Sequence, residues 1–142
     1  MNNLKLLPII AFAILWSANA NAQRTKLSRN EVPDEITNYI NHNFKDHKIR
    51  RAAKEVDKDK TEYEIILNKK VELEFDGDYK IKEIESKHGI PSHLLPSRLP
   101  EYIKVHYPDF KIIQWELNED GHKVELSNKT EIRFNANGDY IQ

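Results

Sequence analysis

Tyr63-Glu64-Ile65-Ile66-Leu67-Asn68-Lys69-Lys70-Val71-Glu72-Leu73-Glu74-Phe75 decides the fold, because the chain writes this pattern twice. The second copy is His122-Lys123-Val124-Glu125-Leu126-Ser127-Asn128-Lys129-Thr130-Glu131-Ile132-Arg133-Phe134. Both alternate apolar and polar residues, the period of strands with one buried face. In the first copy Tyr63, Ile65, Leu67, Val71, Leu73 and Phe75 form the apolar set. A slip of one residue would turn that whole set outward, so both arms must share one register. Asn68-Lys69-Lys70 as a three-residue loop sets Leu67 opposite Val71, Ile65 opposite Leu73 and Tyr63 opposite Phe75. The same reading pairs Leu126 with Thr130, Val124 with Ile132 and His122 with Phe134.

The even positions then face away from the core: Glu62, Glu64, Glu72 and Glu74. Glu64 opposite Glu74 is an unfavourable pair unless a third strand brings cations. Asp76-Gly77-Asp78 reads as a turn into Tyr79-Lys80-Ile81-Lys82. Keeping Tyr79 and Ile81 inward places Lys80 beside Glu74 and Lys82 beside Glu72. The outer face is therefore expected to be a charge-paired surface.

Upstream of the first hairpin, Val32-Pro33-Asp34 opens a helix whose Ile36, Tyr39, Ile40 and Phe44 make one apolar stripe. Ile49 to Val56 reads as a strand with Ala52 and Val56 inward, and Gln23 to Lys26 reads as a loose leader. Shifted by 63 residues, the same elements recur. Leu95-Pro96 opens a second helix with Ser97 as its cap, carrying Leu99, Tyr102, Ile103 and Tyr107. Between residues 27–49 and 90–112, 6 of 23 positions are identical. A helix-then-strands unit repeated at this period predicts an α+β fold. The expectation is two α-β-β-β(β) repeats, an antiparallel sheet, and both helices on one face. The connection from Ser86 to Pro96 carries Ile90, Leu94 and Leu95, which need burial, so it reads as a short helical turn over the core.

Residues 1–22 have the features of a cleaved secretory signal. Lys5 is followed by an apolar run from Leu6 to Trp16, and Ala20-Asn21-Ala22 supplies the small residues of a cleavage site. The run is too short for a stable membrane anchor. With no cysteine in the chain, a lipid-anchoring cysteine and disulfides are both excluded. The expected product is a periplasmic or secreted chain, cut after Ala22, with residues 23–142 forming one domain of two repeats (27–86 and 90–142). Loss of Lys5 with the leader moves the formal charge from −1 to −2. Acids and bases are interspersed, which gives no electrostatic case for nucleic acid or an anionic membrane.

These residues resemble the PepSY-like family, exported proteins of Bacteroidota described as beta-lactamase-inhibitor-like. The likeness lies in the apolar-Pro helix starts (Pro33 and Pro96) and in meanders ending Phe-Asp-Gly-Asp-Tyr or Phe-Asn-Ala-Asn-Gly-Asp-Tyr, with Phe75, Phe134, Gly77 and Gly138. It spans nearly the whole mature chain as two tandem copies. The family often has glycine in the central hairpin turn, where this chain has Asn68-Lys69-Lys70 and Ser127-Asn128-Lys129. The resemblance implies the fold and an exported, inhibitor-like binding role, and it brings no catalytic residue.

Catalytic groupings are absent from the sequence: no cysteine, no Gly-x-Ser-x-Gly elbow, and glycines only at turns. The histidines His42, His47, His88, His93, His106 and His122 include no pair at metal-ligand spacing. Asp57-Lys58-Asp59 and Asp76-Gly77-Asp78 lack the later glutamate of a calcium loop. The chain is thus expected to be no enzyme and to need no cofactor. It is read as a binding or inhibitor-like module that engages an envelope protein or peptide through its sheet face or edge. The candidate face comprises Trp115, Ile66, Glu64, Glu72, Glu74, Lys80 and Lys82; Trp115 reads first as core packing between sheet and helix, and in its functional reading as an aromatic anchor on the open face. The alternative is an envelope sensor of a small ligand or metal ion, using histidines and turn carboxylates.

Overall fold

The computed structural model describes residues 22–141; the expected signal segment lies almost wholly outside them. Eight strands form one antiparallel sheet in chain order: β1 (Gln23–Leu27), β2 (Ile49–Asp57), β3 (Lys60–Leu67), β4 (Val71–Asp76), β5 (Ile81–Ser86), β6 (Ile112–Asn118), β7 (Gly121–Leu126) and β8 (Glu131–Phe134). Helix α1 (Asp34–Asn43) links β1 to β2, and α2 (Arg98–His106) links β5 to β6.

Both hairpins have the expected register: Leu67 pairs with Val71, Ile65 with Leu73 and Tyr63 with Phe75, and in the second copy Val124 pairs with Ile132 and His122 with Phe134. Leu126 donates its N–H to the Thr130 carbonyl. The apolar set of both copies is buried in one core with Ile36 and Ile40 of α1 and Leu99 and Ile103 of α2. The helices therefore lie on the same face of the sheet. Each is locked in the same way: Tyr39 meets Phe75 edge-on at 5.3 Å between ring centres, and Tyr102 meets Phe134 at 5.4 Å. Such contacts add about 0.5–1.5 kcal/mol beyond area burial.

Gln23–Lys26, read from sequence as a loose leader, belongs to edge strand β1, with Leu27 opposite Ala52 and Arg24 opposite Glu55. The alternation signal is missing there because most of the strand is exposed on both faces. β1 sits on β2 as β5 sits on β6. Thus β5 serves both units, as last strand of the first and as neighbour to the post-helical strand of the second. The Ser86–Pro96 connection contains a 3-10 turn, Ser92–Leu94, with Ile90 and Leu95 buried and Leu94 half-buried.

Candidate binding face

The helices cover one side of the sheet, so any sheet-face site lies on the other. Cross-strand pairing lays out that open side directly. Glu64 stands opposite Glu74, Glu74 opposite Glu83, and Glu83 opposite Glu116, so four glutamates run in one row across β3 to β6. In the next row Ile66 faces Glu72, Glu72 faces Glu85, Glu85 faces Gln114, and Gln114 faces Glu125.

This layout corrects the expected charge pairing. Lys80 does not lie beside Glu74, nor Lys82 beside Glu72; Glu83 and Glu85 hold those places. Two local causes are visible. The Asp76 carboxylate accepts the N–H groups of Asp78 and Lys80, each at 3.0 Å, so Lys80 is consumed by the turn. A bulge beside Glu74 and Phe75 then pushes Lys82 out of register, because Phe75 pairs with Ile81 while Glu74 pairs with Glu83. Lys82 instead lines the end of the face, in a cleft of 360 Å³ with Glu62, Glu74, Glu83 and Glu116.

Trp115 also leaves the candidate face. It pairs with Ile84 and Val124 on the helix side and is 4% exposed. Its indole N–H donates to His122 Nδ1 at 3.2 Å, which completes a buried polar pair. The His122 ring hydrogen-bonds the Ala136 backbone, while burial holds its pKa below the usual imidazole value. A second bulge between Ile112 and Gln114 puts Gln114 on the open side, where it donates to Glu83 at 2.5 Å. Of the candidate residues, Ile66, Glu64, Glu72 and Glu74 share the face; sequence reasoning missed Glu83, Glu85 and Glu116, whose alignment depends on the bulges.

Cations gather at the two ends of the belt. Arg24 pairs with Glu64 and Lys123 with Glu116; Lys129 pairs with Glu125 and Arg133 with Glu131, both at 2.9 Å. Among the described residues the central Glu72, Glu74, Glu83 and Glu85 make no ion pair. Partial burial and neighbouring carboxylates raise Glu72, while Glu74 is pushed up to about 7, first by burial and then by Glu62 and Glu83. Burial also raises Glu83, against the pull of its hydrogen bond from Gln114. Beside the belt, Arg24, Lys26, Arg51, Glu64 and Ile66 line a cleft of 440 Å³. No three histidine or acidic side chains among the described residues converge as metal ligands.

Residues 15–83 and 80–142 each match the family model described as "Putative beta-lactamase-inhibitor-like, PepSY-like". The chain belongs to the PepSY-like family. Each matched segment contains one helix and one hairpin, and the two overlap at residues 80–83, at the start of β5. This PepSY-like chain is similar to a solved "putative calcium-regulated periplasmic protein" of Bacteroides thetaiotaomicron, at 28% identity and TM-score 0.78, over 84% of this chain and 94% of that one. Two solved proteins of Bacteroides vulgatus, also called periplasmic, match at 27% and 26% identity with TM-scores of 0.79 and 0.78. They cover 84% and 85% of this chain, and 95% and 97% of their own lengths are matched. No curated protein matches the chain. Among the described residues no helix is long and apolar enough to cross a membrane.

Proposed function

We propose that this PepSY-like protein is a non-catalytic periplasmic binding module, and that its open sheet face takes a cationic segment of a partner protein. The observation that carries this reading is the row Glu64-Glu74-Glu83-Glu116, whose central members lack ion-pair partners. Like charges directly opposite each other weaken a sheet. A basic segment laid across the row relieves that repulsion and adds direct ion pairs to the through-space pull of Lys60 on Glu74 and of Lys123 on Glu83. Its solved neighbours are described as periplasmic, which supports the compartment.

The test uses a fluorescein-labelled octalysine peptide, followed by anisotropy and by backbone NMR shifts. Expected shifts fall on β3 to β6, and Glu72→Gln combined with Glu74→Gln and Glu85→Gln weakens binding at least about tenfold, or 1.4 kcal/mol. Because a bound cation favours ionised carboxylates, binding tightens between pH 5.5 and 8 as Glu74 loses its proton. Binding that is indifferent to the substitutions, or shifts that map elsewhere, would defeat the reading.

A second reading is a response to divalent cations. Its support is the solved neighbour called calcium-regulated; the 360 Å³ cleft has several acids, but Lys60 and Lys82 share it and no three of its carboxylates converge. The turn acids are poor candidates, since Asp76 is engaged by its own turn amides. Calcium bound only to the native state must raise the melting temperature. No shift at about 1 mM calcium chloride removes this second reading.

A further inference from the structure

The duplication provides an internal comparison, and one difference between the two units lies beside their helices. In the first unit an arginine spans from the 3-10 turn before α1 to the start of β2. Phe44, which follows α1, is 5% exposed, and His47 packs edge-on against it at 5.5 Å. Arg29 reaches across from the 3-10 turn Arg29–Glu31 and donates to the Ile49 carbonyl at 3.2 Å.

In the second unit the backbone repeats closely. Tyr107 caps α2 as Phe44 caps α1, with N–H groups bonded to Ile103 and Ile40 carbonyls at 2.7 and 2.8 Å. Phe110 donates its N–H to the Tyr107 carbonyl as His47 does to that of Phe44. The side chains have changed. Ser92 stands where Arg29 stands, and the Ile112 carbonyl is taken by the Ile90 N–H at 2.8 Å. Phe110 replaces His47 and is 39% exposed, while Tyr107 is half-buried where Phe44 is buried.

What remains is a groove of 470 Å³, within the usual range of ligand sites. Ile90, Pro91, Pro100, Tyr107 and Phe110 give it apolar walls, and His88, Lys104 and Lys111 give it a basic rim. No carboxylate lines it. Its walls hold the proline and aromatic surfaces that suit extended, proline-rich segments, and rigid walls spend little conformational entropy on binding. The rim calls for a partner of opposite sign.

We infer that this groove of the second unit is a docking site for an extended acidic segment of a partner protein, with an apolar side chain seated between Tyr107 and Phe110. The site is separate from the acidic sheet face and of opposite charge. One copy of the repeat is bridged by its own arginine, and the other, with Ser92 in that place, is left open to a partner.

The probe is a fluorescein-labelled decapeptide of alternating glutamate, proline and leucine; the control replaces each glutamate by glutamine, because a lysine peptide would be drawn to the acidic sheet face. Anisotropy gives affinity and NMR maps the contact on the full mature chain. The expected result is shifts at Ile90–Ser92, the end of α2 and Phe110–Ile112, with the acidic peptide bound at least about tenfold tighter than the control. Ser92→Arg, which copies the bridged unit, should abolish the shifts without lowering the melting temperature. Lys104→Glu with Lys111→Glu should reverse the preference between the peptides. Equal binding of both peptides, undiminished binding to Ser92→Arg, or no groove shifts at about 1 mM peptide each overturns the inference.

Discussion

Glu74 carries the clearest electrostatic strain on the open face. It stands between Glu64 and Glu83 across the sheet, and its carboxyl is pushed up to about 7. A folded-state pKa above the unfolded one means that the native state holds the proton more tightly. That contribution to stability is present below about pH 4.5 and is lost as pH rises through 7. Glu74→Gln removes the ionisation, so the variant should be more stable than the parent at pH 8, by about 1–2 kcal/mol once solvent screening is allowed for, and should match it near pH 4.5. Urea midpoints at the two pH values check this; a constant difference would contradict it. His122 has the opposite sign: its lowered pKa makes acidification below about 6.5 destabilising, so the two groups pull apart over the same range. At this scale the sequence was legible where alternation alone sets direction, as for Ile66, Glu64, Glu72 and Glu74. Where direction depends on a partner or a bulge, it left Trp115 open between core and open face and misled on Lys80 and Lys82. Trp115 is an ordinary strand residue by pattern, and only its indole bond to His122 shows why a polar-edged aromatic suits the helix side. Lys80 and Lys82 looked like counter-charges because the Asp76 turn was counted one way and closes another.

The hairpin loops hold strain of a different kind. Lys70 and Lys129 occupy the same place in the two loops, and both are left-handed, with φ of 59° and 72°. A side chain there costs about 1–2 kcal/mol, while glycine regains unfolded-state freedom worth up to about 1. Lys129 also pairs with Glu125, but that lysine is largely exposed and such a pair is worth well under 1 kcal/mol. Lys70→Gly with Lys129→Gly should therefore stabilise by about 0.5–1 kcal/mol, read as a rise of a few degrees in melting temperature. A fall would show that the loops are not strained. The β6–β7 turn gives the reverse case. Gly121 has φ 127°, and a Cβ there would lie 2.3 Å from the Phe134 carbonyl oxygen. Gly121→Ala should cost about 2 kcal/mol or more, by the same thermal melt. Most elements were legible at this scale: both helices, both hairpins and their register follow from periodicity. β1 was not, because exposed charged residues at a sheet edge carry no alternation, and the bulges were not, because no residue type marks them.

At the scale of the whole molecule, the question is whether two units of similar sequence unfold as one. A piece of about 60 residues buries only about 60% of its unfolded surface and is marginal alone. Here the units share a continuous sheet, with β4, β5 and β6 paired in succession. One buried cluster includes Ile36 and Phe75 from the first unit and Leu99 and Phe134 from the second. The connection between the units adds Ile90 and Leu95, 8% and 7% exposed, to that same cluster. Leu94, which by sequence was as good a candidate for burial, is only half-buried, so Leu95 is the sharper probe. Leu95→Asp places an unpaired charge at the join and should destabilise the chain by about 2–4 kcal/mol. Urea unfolding of residues 23–142 can be followed by fluorescence of Trp115, which sits in the second unit, and by far-ultraviolet circular dichroism, which sees both. Coincident single transitions, both moved by Leu95→Asp with an unchanged slope, are expected of one cooperative domain. If the substitution shifts the Trp115 transition while leaving an earlier or later dichroism step in place, or if residues 23–88 fold alone with their full secondary structure, the units are independent and the shared core contributes little to holding them together.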